Sequence, residues 1–318
     1  MVSFLAHQPA DIQKGDLVTV QQIVDAFAKE KQAGLIEIAW ASGQQAVILL
    51  ADGQVMGVNM LETTFCKKIS FEELPTHWLK SHATLRSIRA RHEMVGAAMA
   101  VLAWHPPNQT FSLQAGEFPA YLEISQKHQH NGLFRILCDG LEGYVFLLAG
   151  QPLHHECVLD APHEMLVGAQ AYERLLACSQ PSSLEFYEAG PASPVYQQIC
   201  FRFTFAQLIQ GMSNRYARLV GADMVESMVV TLNQQLAERQ YHMEIRENQL
   251  YDTHVFPSYG VAMQAYRFLF KSVMQQMSEM IGNGLAHSIA FEVFRSLPPE
   301  KQQFLRESPL MILIISSS

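Results

Sequence analysis

The segment "LLADGQVMGV" (residues 49–58) consists of an apolar run, a turn at Asp52-Gly53 and a second apolar run. An Asp-Gly pair between apolar runs is among the strongest short-range indications of a β-hairpin. The chain repeats the pattern in "LLAGQPL" (residues 147–153), where a Gly-Gln pair again follows large apolar residues. The repetition indicates one module built twice, and we expect Gly53 and Gly150 to adopt positive φ in equivalent hairpin turns.

The similarity extends upstream of both hairpins. "VDAFAKEKQAGLIEI" (residues 24–38) aligns with "LEISQKHQHNGLFRI" (residues 122–136) at a constant offset. Each segment predicts a short amphipathic helix that stops at a glycine, Gly34 or Gly132, and is followed by a strand. Each copy therefore begins with a helix and continues into a hairpin of strands.

A second match follows each hairpin. "VGAAMAVLAW" (residues 95–104) aligns with "VGAQAYERLL" (residues 167–176) at a shorter offset, which pairs Gly96 with Gly168. The shorter offset indicates an insertion in the first copy at about residues 61–93. The predicted fold is α+β: two tandem copies of a helix–hairpin–helix–strand module, followed by an all-α domain.

These motifs resemble the PatA N-terminal-like family of bacterial modules, over about residues 18–190. The positions that carry the resemblance are Gly34, Gly53, Gly96 and Leu102 in the first copy and Gly132, Gly150, Gly168, Ala171 and Leu175 in the second. The family is often joined to receiver or other regulatory domains, and no such domain is recognisable in this chain. The resemblance implies a signalling or interaction role and no catalytic residues.

The composition is that of a globular protein with two or three domains, because 49% of the residues are apolar and 16% are charged. The net charge of −8 argues against a general nucleic-acid binder. No apolar run is long enough to span a membrane, and the N-terminus lacks the pattern of a signal peptide. Five cysteines without paired spacing indicate reduced thiols and a cytoplasmic protein.

The last third of the chain has a helical pattern. "EAGPASPV" (residues 188–195) is typical of a linker, and apolar residues recur at helical spacing over residues 216–239 and 261–296. Gly282 and Gly284 predict a kink or break in the second of these helices. The predicted domains are residues 1–116, 117–190 and 195–318, and the helical domain is compatible with a homo-oligomer.

The most metal-like string is "HHEC" (residues 154–157). On a strand His154 and Glu156 would share a face, and "HQH" (residues 128–130) is the only other candidate for ligands. Because recognised ligand spacing is missing, we expect no metal and no cofactor. The sequence also lacks a Gly-rich phosphate loop, a nucleophile elbow and paired carboxylates, so no catalytic residue is predicted.

Partner binding is predicted in the insertion of the first copy and in the helical domain, rather than in the core that the two copies share. The insertion carries Trp78, Arg86, Arg89 and Arg91, residue types that often dominate protein interfaces. Arg86 and Arg89 are three residues apart and would share a helix face, which is solvated, lies against an acidic protein partner or, as the least favoured alternative, meets nucleic-acid phosphates.

The sequence therefore predicts a non-enzymatic bacterial regulatory or scaffolding protein that acts through protein–protein interaction. One alternative is a small-molecule or metal-dependent sensor or enzyme that uses a cleft between the two copies, with His128, His154 and Glu156 near it. A further alternative is a membrane-surface adaptor that binds through "MILII" (residues 311–315).

Overall fold

The computed structural model describes residues 4–62, 65–74, 83–138, 140–162, 164–180, 182–308 and 310. The chain divides into two compact units, Met1–Tyr196 and Gln197–Ser318. The first unit contains both predicted copies.

The first copy forms a six-stranded antiparallel sheet in the order β1-β6-β2-β3-β4-β5. Its strands are β1 (Asp11–Gly15), β2 (Gly34–Ala39), β3 (Gln45–Ala51), β4 (Gln54–Leu61), β5 (Cys66–Ile69) and β6 (Ala83–Arg89). Helix α1 (Leu17–Glu30) lies between β1 and β2 in the chain and buries Val20, Val24 and Phe27 against one face of this sheet.

The second copy forms a seven-stranded antiparallel sheet in the order β7-β13-β8-β9-β11-β12, with β10 paired to β9. Its strands are β7 (Gln109–Leu113), β8 (Gly132–Cys138), β9 (Leu141–Leu148), β10 (Gln151–Pro152), β11 (Val158–Ala161), β12 (Glu164–Val167) and β13 (Ser182–Glu188). Helices α3 (Phe118–His128) and α4 (Ala169–Leu176) contribute side chains to the core on one face of this sheet. Helix α2 (His92–Ala103) connects the copies, packs on β2, β3 and β11, and is buried over most of its length.

The two sheets have the same strand order, and their hairpin turns match residue by residue. Gly53 has a φ of +73° and Gly150 a φ of +75°, which confirms the predicted positive φ at both glycines. The residue before each glycine also has a positive φ, as a type I′ turn requires. The Gly53 amide donates to the carbonyl of Gln32 at 2.9 Å, and the Gly150 amide donates to that of His130 at 2.7 Å.

The helix stops predicted at Gly34 and Gly132 are wrong. Helix α1 is capped by Lys31 and α3 by Gln129, and each capping residue has the left-handed conformation. Gly34 and Gly132 are instead the first residues of β2 and β8. A Cβ atom at Gly34 would lie 2.1 Å from a backbone oxygen of β6, and one at Gly132 would lie 2.1 Å from a backbone oxygen of β13. These positions need glycine because of a contact that is distant in the sequence.

The predicted helix–hairpin–helix–strand module is also wrong, because the copies are built mainly from strands. The predicted insertion at residues 61–93 contains β6. This strand is the last one of the first sheet in chain order and pairs with β1 on one side and β2 on the other. The predicted boundary at residue 116 falls after β7, although β7 pairs with β13 in the second sheet. Each copy opens with an edge strand, β1 or β7, which lies outside the module predicted from the sequence.

The match between residues 95–104 and 167–176 does not join equivalent helices. Helix α2 follows the closing strand of the first copy, whereas α4 precedes the closing strand of the second. Gly96 lies inside α2, while Gly168 precedes α4 with a φ of +70°. The two helices share a similar local sequence over the matched residues. This similarity does not indicate where each helix lies in the order of strands and helices.

The second unit contains helices packed around one large core. They are α5 (Pro194–Val220), α6 (Ala222–Glu238), α7 (Tyr259–Ile281), α8 (Asn283–Ser296) and α9 (Pro299–Arg306). The predicted helix break is present at Gly282, which separates α7 from α8 with a φ of +80°. The all-α prediction is wrong, because β14 (Met243–Arg246) and β15 (Gln249–Asp252) form a hairpin between α6 and α7.

We expect Gly53→Ala to cost far more than Gly43→Ala. Both glycines have positive φ, at a cost of about 1–2 kcal/mol for alanine. Only at Gly53 would the new Cβ lie 2.4 Å from Cα of Ala28, whereas none of the described atoms lies within 4 Å of it at Gly43. This clash adds about 1–3 kcal/mol. Urea unfolding of the two variants measures the difference, and equal free energies of unfolding would contradict the close helix–turn contact.

Candidate functional site

The N-terminal segment Phe4–Gln8 contacts both sheets of the first unit. In the first sheet it contacts strands β2 and β6. The Phe4 amide donates to Oε1 of Glu37 at 2.7 Å. The Arg86 guanidinium donates to the carbonyl oxygens of Phe4 and Leu5 at 2.7 and 2.6 Å, and it lies 2.9 Å from Oε2 of Glu37. These bonds fasten the segment to the first sheet.

The same segment is also fastened to the second sheet. Asp160 of β11 accepts a hydrogen bond from the His7 amide at 3.2 Å and one from the Gln8 side-chain amide at 2.5 Å. The Arg135 guanidinium lies over the Phe4 ring, 5.4 Å from its centroid. The segment therefore links the two sheets through hydrogen bonds and one cation–π contact.

Charged side chains occupy matching positions in the two sheets with their signs exchanged. In the first sheet Glu37 of β2 is paired in register with Arg86 of β6. In the second sheet Arg135 of β8 is paired in register with Glu185 of β13. The ion-pair distances are 2.9 Å for Glu37–Arg86 and 3.3 Å for Arg135–Glu185.

The second sheet extends its ion pair into a buried network. Arg135 donates from Nε and Nη2 to Oε1 of Glu142 at 2.8 and 2.6 Å, and Tyr144 donates to the same carboxylate. Burial, and after it the neighbouring Glu142, raise the pKa of Tyr144 well above its usual value, so the hydroxyl remains a donor. Tyr187 donates to Glu185 at 2.7 Å in the same way.

This network is particular to the second copy. Strand registers place Glu142, Tyr144 and Tyr187 where the first copy has Gln45, Val47 and Ile88. Arg135, Glu142, Tyr144 and Tyr187 are all buried. The network is therefore suited to fixing the sheet and the N-terminal segment, rather than to receiving a ligand.

An open groove lies on the first copy, between edge strand β1 and helix α1, and has a volume of about 1040 Å³. We call it the β1–α1 groove. Its lining residues are Gln8, Pro9, Ala10, Asp11, Ile12, Gln13, Thr19, Gln22, Ile23, Ala26, Phe27, Gln32, Ser87 and Arg89. The groove combines apolar side chains of α1 with four glutamine amides.

Two substitutions between the copies account for the groove. In the second copy Phe111 of β7 and Tyr121 of α3 are in contact, with ring centroids 4.9 Å apart. The strand register and the helix alignment place Gln13 and Ile23 at the equivalent positions of the first copy. The space that two aromatic rings fill in the second copy is open in the first because both residues there are smaller.

The groove also borders unpaired strand backbone. Within the described part of the chain, β1 pairs only with β6, so its other edge is open. In an antiparallel strand, alternate residues direct both N–H and C=O toward one side. Strand β1 therefore presents donors and acceptors that another extended chain can use.

The predicted partner-binding arginines do not lie on a helix, so that part of the prediction is wrong. Arg86 and Arg89 are in β6, and the Arg86 side chain is largely buried by the N-terminal segment. Arg89 lines the groove and is 3.0 Å from Glu30, and Arg91 precedes α2 and is 2.9 Å from Glu93. Trp78 and residues 311–315 lie outside the described residues. A binding role of the arginines stays a prediction.

The histidines of the alternative reading occupy separate local environments. Residues His154–Glu156 form a 3-10 turn and not a strand, so the argument from alternating faces is wrong. The His154 ring stacks on Tyr172 at 4.2 Å, and the His128 ring stacks on His130 at 5.7 Å. Across the described ranges, none of His128, His154 and Glu156 belongs to a group of three convergent metal ligands.

The β1–α1 groove was missed in the sequence because its strand was missed. "DIQKG" (residues 11–15) is short and mostly exposed, so it has little of the alternation that marks a strand. Once β1 and β7 are aligned, the exchange of Gln13 for Phe111 and of Ile23 for Tyr121 becomes visible in the sequence.

Comparisons of the chain with protein-family models, curated proteins and solved structures gave no match. The resemblance to the PatA N-terminal-like family therefore stays a prediction. Over the described residues, every helix is too short or too polar to cross a membrane.

Removing the central cation of the network should destabilise the fold strongly. We expect Arg135→Met to lower the free energy of unfolding by about 3–5 kcal/mol, because it leaves buried carboxylates without their counterion. Arg174→Met is the matched control, since Arg174 pairs with Glu164 at 3.5 Å on the surface and should cost about 0–1 kcal/mol. Urea unfolding compares the two variants, and similar losses would show that the buried network contributes no more than a surface ion pair.

Proposed function

We propose that the chain is a non-enzymatic regulatory or scaffolding protein of the bacterial cytoplasm that binds an extended segment of a partner protein. The proposed binding site is the β1–α1 groove. The observation that carries the proposal is that this groove is open in the first copy and filled by Phe111 and Tyr121 in the second.

The open edge of β1 favours a polypeptide as the occupant. An extended peptide that pairs with an edge strand gains main-chain hydrogen bonds, while adjacent pockets receive alternate side chains. Asp11 and Lys14 are typical of an edge that is protected from uncontrolled pairing. A binding mode that also requires the neighbouring groove would be more selective than pairing with the edge alone.

The lining favours an uncharged, amide-rich ligand with apolar side chains. Gln13, Gln22 and Gln32 offer both donors and acceptors, which complement the peptide bond, whereas the Gln8 side-chain amide already donates to Asp160. Ile23, Ala26 and Phe27 offer apolar surface for a side chain of the peptide. Asp11 and Arg89 contribute opposite charges to the lining, so no strong preference for a charged peptide is expected from them.

The test is to fill the groove with the residues of the other copy. The double variant Gln13→Phe, Ile23→Tyr should place an aromatic pair between β1 and α1 and leave the backbone unchanged. Peptides are first selected on the wild-type chain from a displayed library of random sequences, and their affinities are then measured by fluorescence polarisation. We expect the double variant to bind the selected peptides at least about tenfold more weakly, a loss of about 1.4 kcal/mol.

The matched control is Lys14→Phe, Val18→Tyr. It introduces the same side chains on the same two elements, at exposed positions outside the groove lining. This control should bind the selected peptides as the wild type does. Equal binding by the groove-filled variant, with both variants folded by circular dichroism, would refute the proposal, and so would a selection that yields no binding peptide.

A further inference from the structure

Two cysteines that are far apart in the sequence lie close together in the second copy. Cys138 is the last residue of β8, and Cys178 follows the C-terminal end of α4. Their Sγ atoms are 3.7 Å apart, and both residues are partly exposed. A disulfide has an S–S distance of about 2.05 Å, so the two sulfurs are close neighbours that must approach one another before a bond forms.

The pair is also open to small reagents. Cys178 lines a surface depression of about 360 Å³ with Leu141, Arg174 and Gln180. The surroundings of Cys157 and Cys66 lower the reactivity of these two thiols. Cys157 is fully buried, and burial raises the pKa of Cys66 to about 11. Thiol reactivity depends on access and on the fraction of thiolate.

We propose that Cys138 and Cys178 are a redox-sensitive pair that forms an intramolecular disulfide when the protein meets a hydroperoxide. One thiolate attacks the O–O bond, takes one oxygen as a sulfenic acid and releases water or an alcohol. The thiolate of the other cysteine then attacks the sulfenic sulfur, the S–S bond forms as the S–O bond breaks, and the sulfenic hydroxyl takes up a proton and leaves as water. Two thiols are thereby oxidised by two electrons, and the peroxide is reduced by two.

The bond would tie the C-terminal end of α4 to the end of β8. Helix α4 is short and packs closely on the sheet, with Leu175 against Gly143 of β9. A cross-link between residues 138 and 178 removes conformational freedom from the unfolded chain over that whole loop. Oxidation should therefore make the second copy more resistant to unfolding without a change of fold.

The experiment treats the full chain with hydrogen peroxide and compares it with the reduced protein. We expect the mass to fall by two hydrogen atoms and non-reducing peptide maps to show a Cys138–Cys178 cross-link that dithiothreitol reverses. The melting temperature of the oxidised protein should rise by roughly 5–10 °C. Cys157→Ser should retain the cross-link and the rise, whereas Cys138→Ser and Cys178→Ser should lose both.

The peptide map of the wild type decides the proposal even if a serine variant is unstable. Cys138 and Cys178 recovered as free thiols, as sulfinic acids or joined to other cysteines would overturn it. A cross-link without any rise in melting temperature would overturn the predicted effect of the bond on α4.

Discussion

The close contact between the β3–β4 turn and helix α1 determines the arrangement of the first copy. The Gly53 amide donates to the carbonyl of Gln32, and no side chain fits between Gly53 and Ala28. Helix α1 is thereby held at a fixed distance from the sheet. Because β1 pairs with β6 at the edge of that sheet, the same contact sets the width of the groove between β1 and α1.

The two copies use one backbone plan for different purposes. The first has Gln13 and Ile23 between its edge strand and its helix, which are smaller than the aromatic residues of the second, and leaves a groove open. The second fills that space with Phe111 and Tyr121 and places charged and phenolic groups on the other face of its sheet. Buried ionic groups need a complete set of partners, and the N-terminal segment Phe4–Gln8 supplies some of them. Different side chains on the same strand order thus account for both features.

The sequence predicted the features that depend on local chemistry. The turns at Gly53 and Gly150 and the break at Gly282 follow from the conformational freedom of glycine. Features that depend on distant contacts were missed: Gly34 needs its hydrogen because β6 approaches it, and Arg86 is covered by the N-terminal segment. Predicting the groove would have required the position of β1 at the edge of the sheet. The sequence of this short, polar strand does not indicate that position.

The central claim is that a partner segment binds along β1, beside α1. Amide hydrogen exchange of the full chain, measured with and without a saturating peptide selected on the wild type, tests it most directly. The account predicts slower exchange in residues 11–15, where the peptide would pair with the strand, and unchanged exchange in β7, the equivalent edge of the second copy. Protection confined to β7 or to the second unit, with β1 unchanged, would contradict it.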